Sequence, residues 1–196
     1  AIRSDAFAGV ERHVAVLAGA QAEMGHSVVV IGGDPQVMDV ELADSLVDVF
    51  PAASTGEVVH RLVGQRGADI VHAHMTAAEA AAAVVGPARW GGLVVTRHFP
   101  GVRGRSLAGR AVAPFIRRAV KAQIAISQYV AERVDGDSTV IYPGVHRPET
   151  VRVAGERQPM VLVAQRLEPE KRTEDAIRAF AAAGRNGGFL RVAGAG

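Results

Sequence analysis

The chain has 196 residues, and 48% of them are hydrophobic, enough to supply a globular core. A formal net charge of +2 is too small to argue for a nucleic-acid partner. The absence of cysteine excludes a disulfide framework and a thiolate metal site and fits a reducing cytoplasm, and no run is long and apolar enough to span a bilayer.

Along the chain, short apolar runs alternate with helical patterns, which predicts βαβ units and a parallel sheet. Val10, Val14, Leu17 and Ala18 recur at helical spacing, predicting a helix over 9–24 that Gly25 stops. No strand is expected before it, because residues 1–8 read as a polar loop. A buried strand follows at 27–31, a helix at 57–66 and a strand at 69–73. An Ala-rich helix at 76–85 ends at Gly86-Pro87, and strands follow at 93–96 and 124–126. Ser127 is placed to cap a short helix, and a last strand covers 139–142. The apolar pattern lapses from 146 to 159. Beyond it lies one β-α-β set at 160–164, 174–183 and 189–193. This divides the chain into a domain at 1–147, a linker at 148–159 and the incomplete start of a second domain at 160–196.

Several residues are candidates for chemistry. Gly9 opens the first helix, where a missing Cβ lets backbone approach a ligand closely. His72 and His74 share one strand face; His74 lies nearer the carboxyl end and is the better cleft candidate, with a structural role as the alternative. No third ligand follows at a telling spacing, so no metal site is expected. His98 ends the next strand, and Arg97 beside it either takes part or faces solvent. Asp135-Gly136-Asp137 reads as a turn. Arg110, Arg117, Arg118 and Lys121, with Arg103 and Arg105 upstream, form a basic stretch at 103–121, and Pro114 is expected to split it into two helices. Such a stretch is a solvated face or a contact for anionic lipid. Near the end, Arg166 and Lys171 stand at a strand-to-helix turn. Two cations beside free helix N–H groups suit a diphosphate.

Arg166-Leu167-Glu168-Pro169-Glu170-Lys171 resembles the Arg-Leu-x-Pro-Glu-Lys motif of family 4 glycosyltransferases. The order of other segments agrees: Ala8-Gly9 resembles their Gly-Gly segment with its first Gly replaced. Asp69-Ile-Val-His-Ala-His74 resembles an Asp-Val-Val-His-x-His strand, Thr96-Arg-His98 a Thr-x-His segment and Gly194-Ala-Gly196 a Gly-x-Gly turn. The resemblance implies a GT-B fold of two Rossmann-like domains with a cleft between them. It implies metal-independent transfer of a sugar, with retention, from a nucleoside-diphosphate sugar to a carbohydrate, lipid or small-molecule hydroxyl. His98 would act near the reacting centre. Arg166, Lys171, Gly9, His74 and Gly194 would bind substrate, and no cofactor is needed beyond the nucleotide sugar. The family's acidic Glu-x7-Glu motif is expected after Gly196, so the chain alone is expected to be inactive. The implied location is cytoplasmic, with peripheral contact at the inner face of the membrane through the basic stretch. Two other readings are a nucleotide-sugar epimerase of the same fold and a non-catalytic module that binds carbohydrate or a lipid surface.

Overall fold

A computed structural model describes residues 1–104, 107–145, 150, 158–184 and 187–194. They divide into two units, Ala1–Gly144 and Val145–Gly196. The expected linker at 148–159 lies mostly outside the described residues, as does Arg105.

In the first unit helices and strands alternate: α1 (Gly9–Glu23), β1 (Val28–Ile31), α2 (Pro35–Glu41), β2 (Val47–Phe50), α3 (Thr55–Gly64), β3 (Val71–His74), α4 (Met75–Val85), β4 (Leu93–Arg97), α5 (Leu107–Ala119), β5 (Val120–Ala125), α6 (Gln128–Ala131) and β6 (Thr139–Val140). Local chemistry sets several boundaries. Asp34 accepts from the N–H groups of Gln36 and Val37 and Pro35 fills the first position, which starts α2. Ser54 and Glu57 form a reciprocal box at the start of α3. Ser127 caps α6 as the sequence predicts, accepting from Val130 N–H at 3.2 Å. Pro114 does not split α5, which runs through it as one helix.

Strands β1 and β2 pair in parallel, as do β3–β4, β4–β5 and β5–β6. The strand slot expected to be vacant ahead of α1 is filled. Ile2 forms a parallel bridge to His74 and donates its N–H to Ile31 O at 2.8 Å, so residues 1–2 join β1 to β3. Counted with that segment, the spatial order is third, second, first, fourth, fifth, sixth, seventh. This is a doubly wound sheet, and its order reverses between the first segment and β3. Ile2 is almost wholly buried. Gly32 is what admits it: a Cβ there would lie 1.8 Å from Ile2 O, and φ is +95°.

Neighbouring residues of β1 feed different cores, as strand alternation requires. Val30 joins Val14, Ala15 and Ala18 of α1 and Met38 of α2. Ile31 joins Val58 and Leu62 of α3, Ala78, Ala81 and Ala82 of α4, and Val71, Ala73, Leu93 and Val95 of the sheet. Helices therefore cover both faces. The alanines of α4 carry so little bulk that the helix lies close on β3 and β4.

The second unit contains β7 (Met160–Ala164), a 3₁₀ turn (Pro169–Lys171), α7 (Thr173–Ala182) and β8 (Phe189–Ala193). The two strands are parallel, from Met160 opposite Phe189 to Ala164 opposite Ala193. Met160, Val161, Leu162, Phe189 and Val192 are exposed, although the faces of parallel strands are ordinarily covered.

Replacing Gly32 by Ala should lower stability in urea melts by about 2 kcal/mol or more, since it adds both a clash and a left-handed backbone. Gly64→Ala, in open space on α3, should not.

Candidate functional site at the sheet switch point

In open doubly wound sheets, ligands bind outside the carboxyl ends of the strands, where the strand order reverses. Three imidazoles gather at that place. His74 ends β3, His98 follows the last residue of β4, and His13 projects from the first turns of α1. Parallel register sets His74 opposite Thr96 and leaves His98 two residues further along the same face. His74 Nδ1 lies 3.1 Å from His98 Nε2, a hydrogen bond in which one ring donates and the other accepts. The His13 ring meets both edge-on, at 5.7 Å from His74 and 5.1 Å from His98 between centroids. His72 stacks against His74 at 4.3 Å, confirming their shared face, and its Nε2 bonds Thr96 Oγ1 at 2.7 Å. Met75, next to His74, has φ +71°, so the turn from β3 into α4 is sharp and strained.

Burial keeps these rings neutral. Desolvation pushes His72 and His98 down to about 4 and His74 well below its ordinary value, with the neighbouring imidazoles adding to the effect. His13 is lowered too, again by burial. At neutral pH the site is a set of uncharged donors and acceptors, suited to hydroxyls.

The segment after His98 is fixed by a buried ionic network. Glu79 of α4 accepts from Arg103 Nε at 2.7 Å, and Asp135 pairs with Arg103 Nη1 at 2.6 Å. Arg103 Nη2 also donates to Gln123 Oε1 at 2.5 Å. Arg97 lies 3.9 Å from Glu79 and 3.6 Å from Asp135, and donates through Nη2 to Gly101 O at 2.6 Å. Burial opposes the charge of Arg103, but its hydrogen bonds to Glu79 and Asp135 more than compensate and raise its pKa. Arg97 is lowered, by burial first and then by the Arg103 charge. Burial likewise opposes the Asp135 carboxylate, and its bonds to Arg103 hold it below its ordinary value.

These contacts decide one open alternative and correct one expectation. Arg97 is 5% exposed and does not face solvent, and Arg103, at 7%, is not part of a basic surface. Of that surface, Arg110, Arg117, Arg118 and Lys121 are exposed. Gly136 has φ +81°, so Asp135–Asp137 is a turn as expected, but Asp135 also anchors the network. A hollow of about 510 Å³ lined by Arg117, Lys121, Gln123, Asp135 and Thr139 lies beside the amino-terminal half of β5, apart from the histidines.

Gly9 is exposed, and a Cβ there would meet nothing within 4 Å, so the protein itself imposes no need for glycine. The backbone N–H of Ala8 donates to Glu11 Oε2 at 3.0 Å, which places a carboxylate at the helix start where an anion would otherwise go. In the second unit, Arg166 pairs with Glu168 and, at 3.2 Å, with Glu170. Lys171 is exposed and forms no ion pair among the described residues. Gln165 Nε2 donates to Lys171 O and to Thr173 Oγ1 at 3.1 and 2.9 Å, folding the turn onto the start of α7. Gly194 is required sterically, because a Cβ would lie 1.8 Å from Gln165 O. Arg172, the residue before α7, has φ +49°, and Glu174 and Asp175 occupy the helix's first turn.

Neither His13 nor Glu79 stands out in the sequence. His13 lies four residues after Gly9, one helical turn into α1 and so on the same face. Glu79 interrupts an otherwise alanine-rich helix. Only those weak signals pointed to them.

The fold and this site define a Rossmann-like α/β domain of the kind found in GT-B glycosyltransferases. The family model for Glycosyltransferase Family 4 matches residues 7–147, and the chain belongs to that family. A comparison with curated proteins finds no match to the chain.

Glu79→Gln should destabilise the protein by about 3 kcal/mol in denaturant melts, because it leaves two buried guanidiniums with one carboxylate. In chelator-treated buffer, the stability contributed by neutral His72 and His98 should be full above pH 6.5 and fall toward pH 4. In that window His72 and His98 of the unfolded chain bind protons that the folded chain, with values near 4, does not. His72→Gln should flatten this slope in thermal melts.

Proposed function

We propose that this protein transfers a sugar, with retention, from a nucleoside-diphosphate sugar to a hydroxyl-bearing carbohydrate, lipid or small molecule. The observation that carries the reading is the neutral, buried His98 held against His74 at the carboxyl edge of a sheet whose chain belongs to Glycosyltransferase Family 4. In the first unit, His98 hydrogen-bonds a hydroxyl of the transferred sugar, where charge develops as the glycosyl bond breaks. His74 orients His98, and Gly9 leaves room for substrate beside α1.

In the second unit, Arg166 and Lys171 bind the diphosphate, and Gly194 shapes the turn beside them. Breaking the glycosyl–phosphate bond builds negative charge on the leaving diphosphate, which the two cations offset without a metal. Arg166 must first exchange Glu168 and Glu170 for phosphate. Exposed ion pairs such as these contribute about 0–1 kcal/mol, whereas a charge-assisted contact to phosphate contributes roughly 1.5–3 kcal/mol, so the exchange is favourable.

We place the reaction in the cytoplasm. Among the described residues no helix is long and apolar enough to cross a membrane. Exposed Val112 and Phe115 beside Arg110, Arg117 and Arg118 on α5 support peripheral contact with anionic lipid.

The protein, screened against nucleotide-sugar donors and acceptors by product mass, should yield a glycosylated acceptor with retained configuration. Inversion at C2 of the donor without acceptor would instead identify an epimerase. Arg166→Ala and Lys171→Ala should each weaken donor binding by about tenfold or more. His98→Ala should lower kcat by about 10²-fold with nucleoside-diphosphate affinity unchanged. Unchanged donor affinity in both cation variants would remove the diphosphate assignment.

A further inference from the structure

We propose that His13, His74 and His98 form a binding site for one divalent transition-metal ion of the zinc type. The inference does not rest on the glycosyl-transfer reading.

One ring nitrogen from each of the three residues lies within 4.8 Å of the other two. A tetrahedral ion bound at 2.0–2.1 Å needs its nitrogens roughly 3.3 Å apart. His74 Nδ1 and His98 Nε2, at 3.1 Å, already have that spacing. Among these residues His13 has the most freedom to close in, since it is only half-buried and hangs from α1 by its own rotamers, whereas His74 and His98 are almost wholly buried.

The apo arrangement also explains what an ion would change. Without it, one of the facing nitrogens of His74 and His98 must carry a proton for the other to accept. With it, both facing nitrogens are lone-pair donors, and the one proton between them moves to the other nitrogen of its own ring. The ligand set selects among ions. Three imidazoles suit Zn²⁺, Co²⁺ or Ni²⁺, whereas Mg²⁺ prefers oxygen and octahedral geometry. Three protein ligands leave a fourth position for water.

The test uses the chain without a histidine tag, stripped with chelator and dialysed. Titration with Co²⁺ should give the visible absorption of a tetrahedral site with one ion per chain. Zn²⁺ should displace it, and Mg²⁺ should not. Zn²⁺ should also raise Tm, as any ligand of the folded state does. His13→Ala and His98→Ala should each weaken Zn²⁺ binding by at least tenfold and abolish the Tm rise, while substitution of the exposed His60 of α3, His60→Ala, should leave both unchanged. Circular dichroism of the metal-free variants separates lost binding from lost folding, and His13→Ala, the least buried substitution, is the deciding variant if His98→Ala does not fold. Absence of tetrahedral Co²⁺ absorption, or equal Zn²⁺ affinity in folded His13→Ala and wild type, would overturn the proposal.

Discussion

The buried pairing of Glu79 and Asp135 with Arg103 and Arg97 is the constraint on which the candidate site depends. Two carboxylates balance two guanidiniums, so the group carries no net charge into the interior. Its worth for stability relative to an apolar core is small, because desolvation of the four charges offsets much of their attraction. Its effect on position is larger. Arg97 immediately precedes His98, and it holds Gly101 beyond it. Arg103 ties the same segment to α4, β5 and the turn before β6. A chain crossing the open edge of a sheet would otherwise sample many conformations. Here it leaves β4 in one.

The histidines extend that logic from position to charge. Rings on separate elements converge at the reversal of strand order, and the surrounding core denies them water. Neutral imidazole is a better partner for hydroxyls than imidazolium would be, since it both donates and accepts. The same neutrality leaves lone pairs open to a transition metal. Whether an ion or a sugar hydroxyl meets His98 is a competition for one ring nitrogen, which gives the proposed metal site a bearing on the proposed reaction. The diphosphate, by contrast, is assigned to permanent cations in the second unit.

Much of the architecture was legible because it rests on local rules. The boundaries of β7 and β8 follow from apolar runs that stop at polar turns, and the Ser127 cap from a hydroxyl placed before a short helix. Two elements were missed. The helix α2 is only about two turns long, although Asp34-Pro35 is a start signal, and β2 is a four-residue strand with little propensity of its own. The first strand slot is hidden in the sequence because Ile2 is the one large apolar residue before Phe7, and its identity depends on hydrogen bonds to β1 and β3. The burial of Arg103, and the choice between the two roles open to Arg97, lay outside the sequence for a related reason. Charge in a sequence ordinarily means exposure, and only partners remote in the chain make burial tolerable.

By itself the sequence determined the alternation of strands and helices, the shared face of His72 and His74, the position of His98 at a strand end and the cationic turn at Arg166 and Lys171. Each of these is set by neighbours within a few residues, through periodicity, capping and turn chemistry. Tertiary structure alone decided that His13 joins His74 and His98, that Glu79 and Asp135 hold Arg97 and Arg103 inside, and that Ile2 closes the sheet. Those contacts link residues dozens of positions apart, and the energies that fix them, desolvation and packing, exist only once the strands have taken their order.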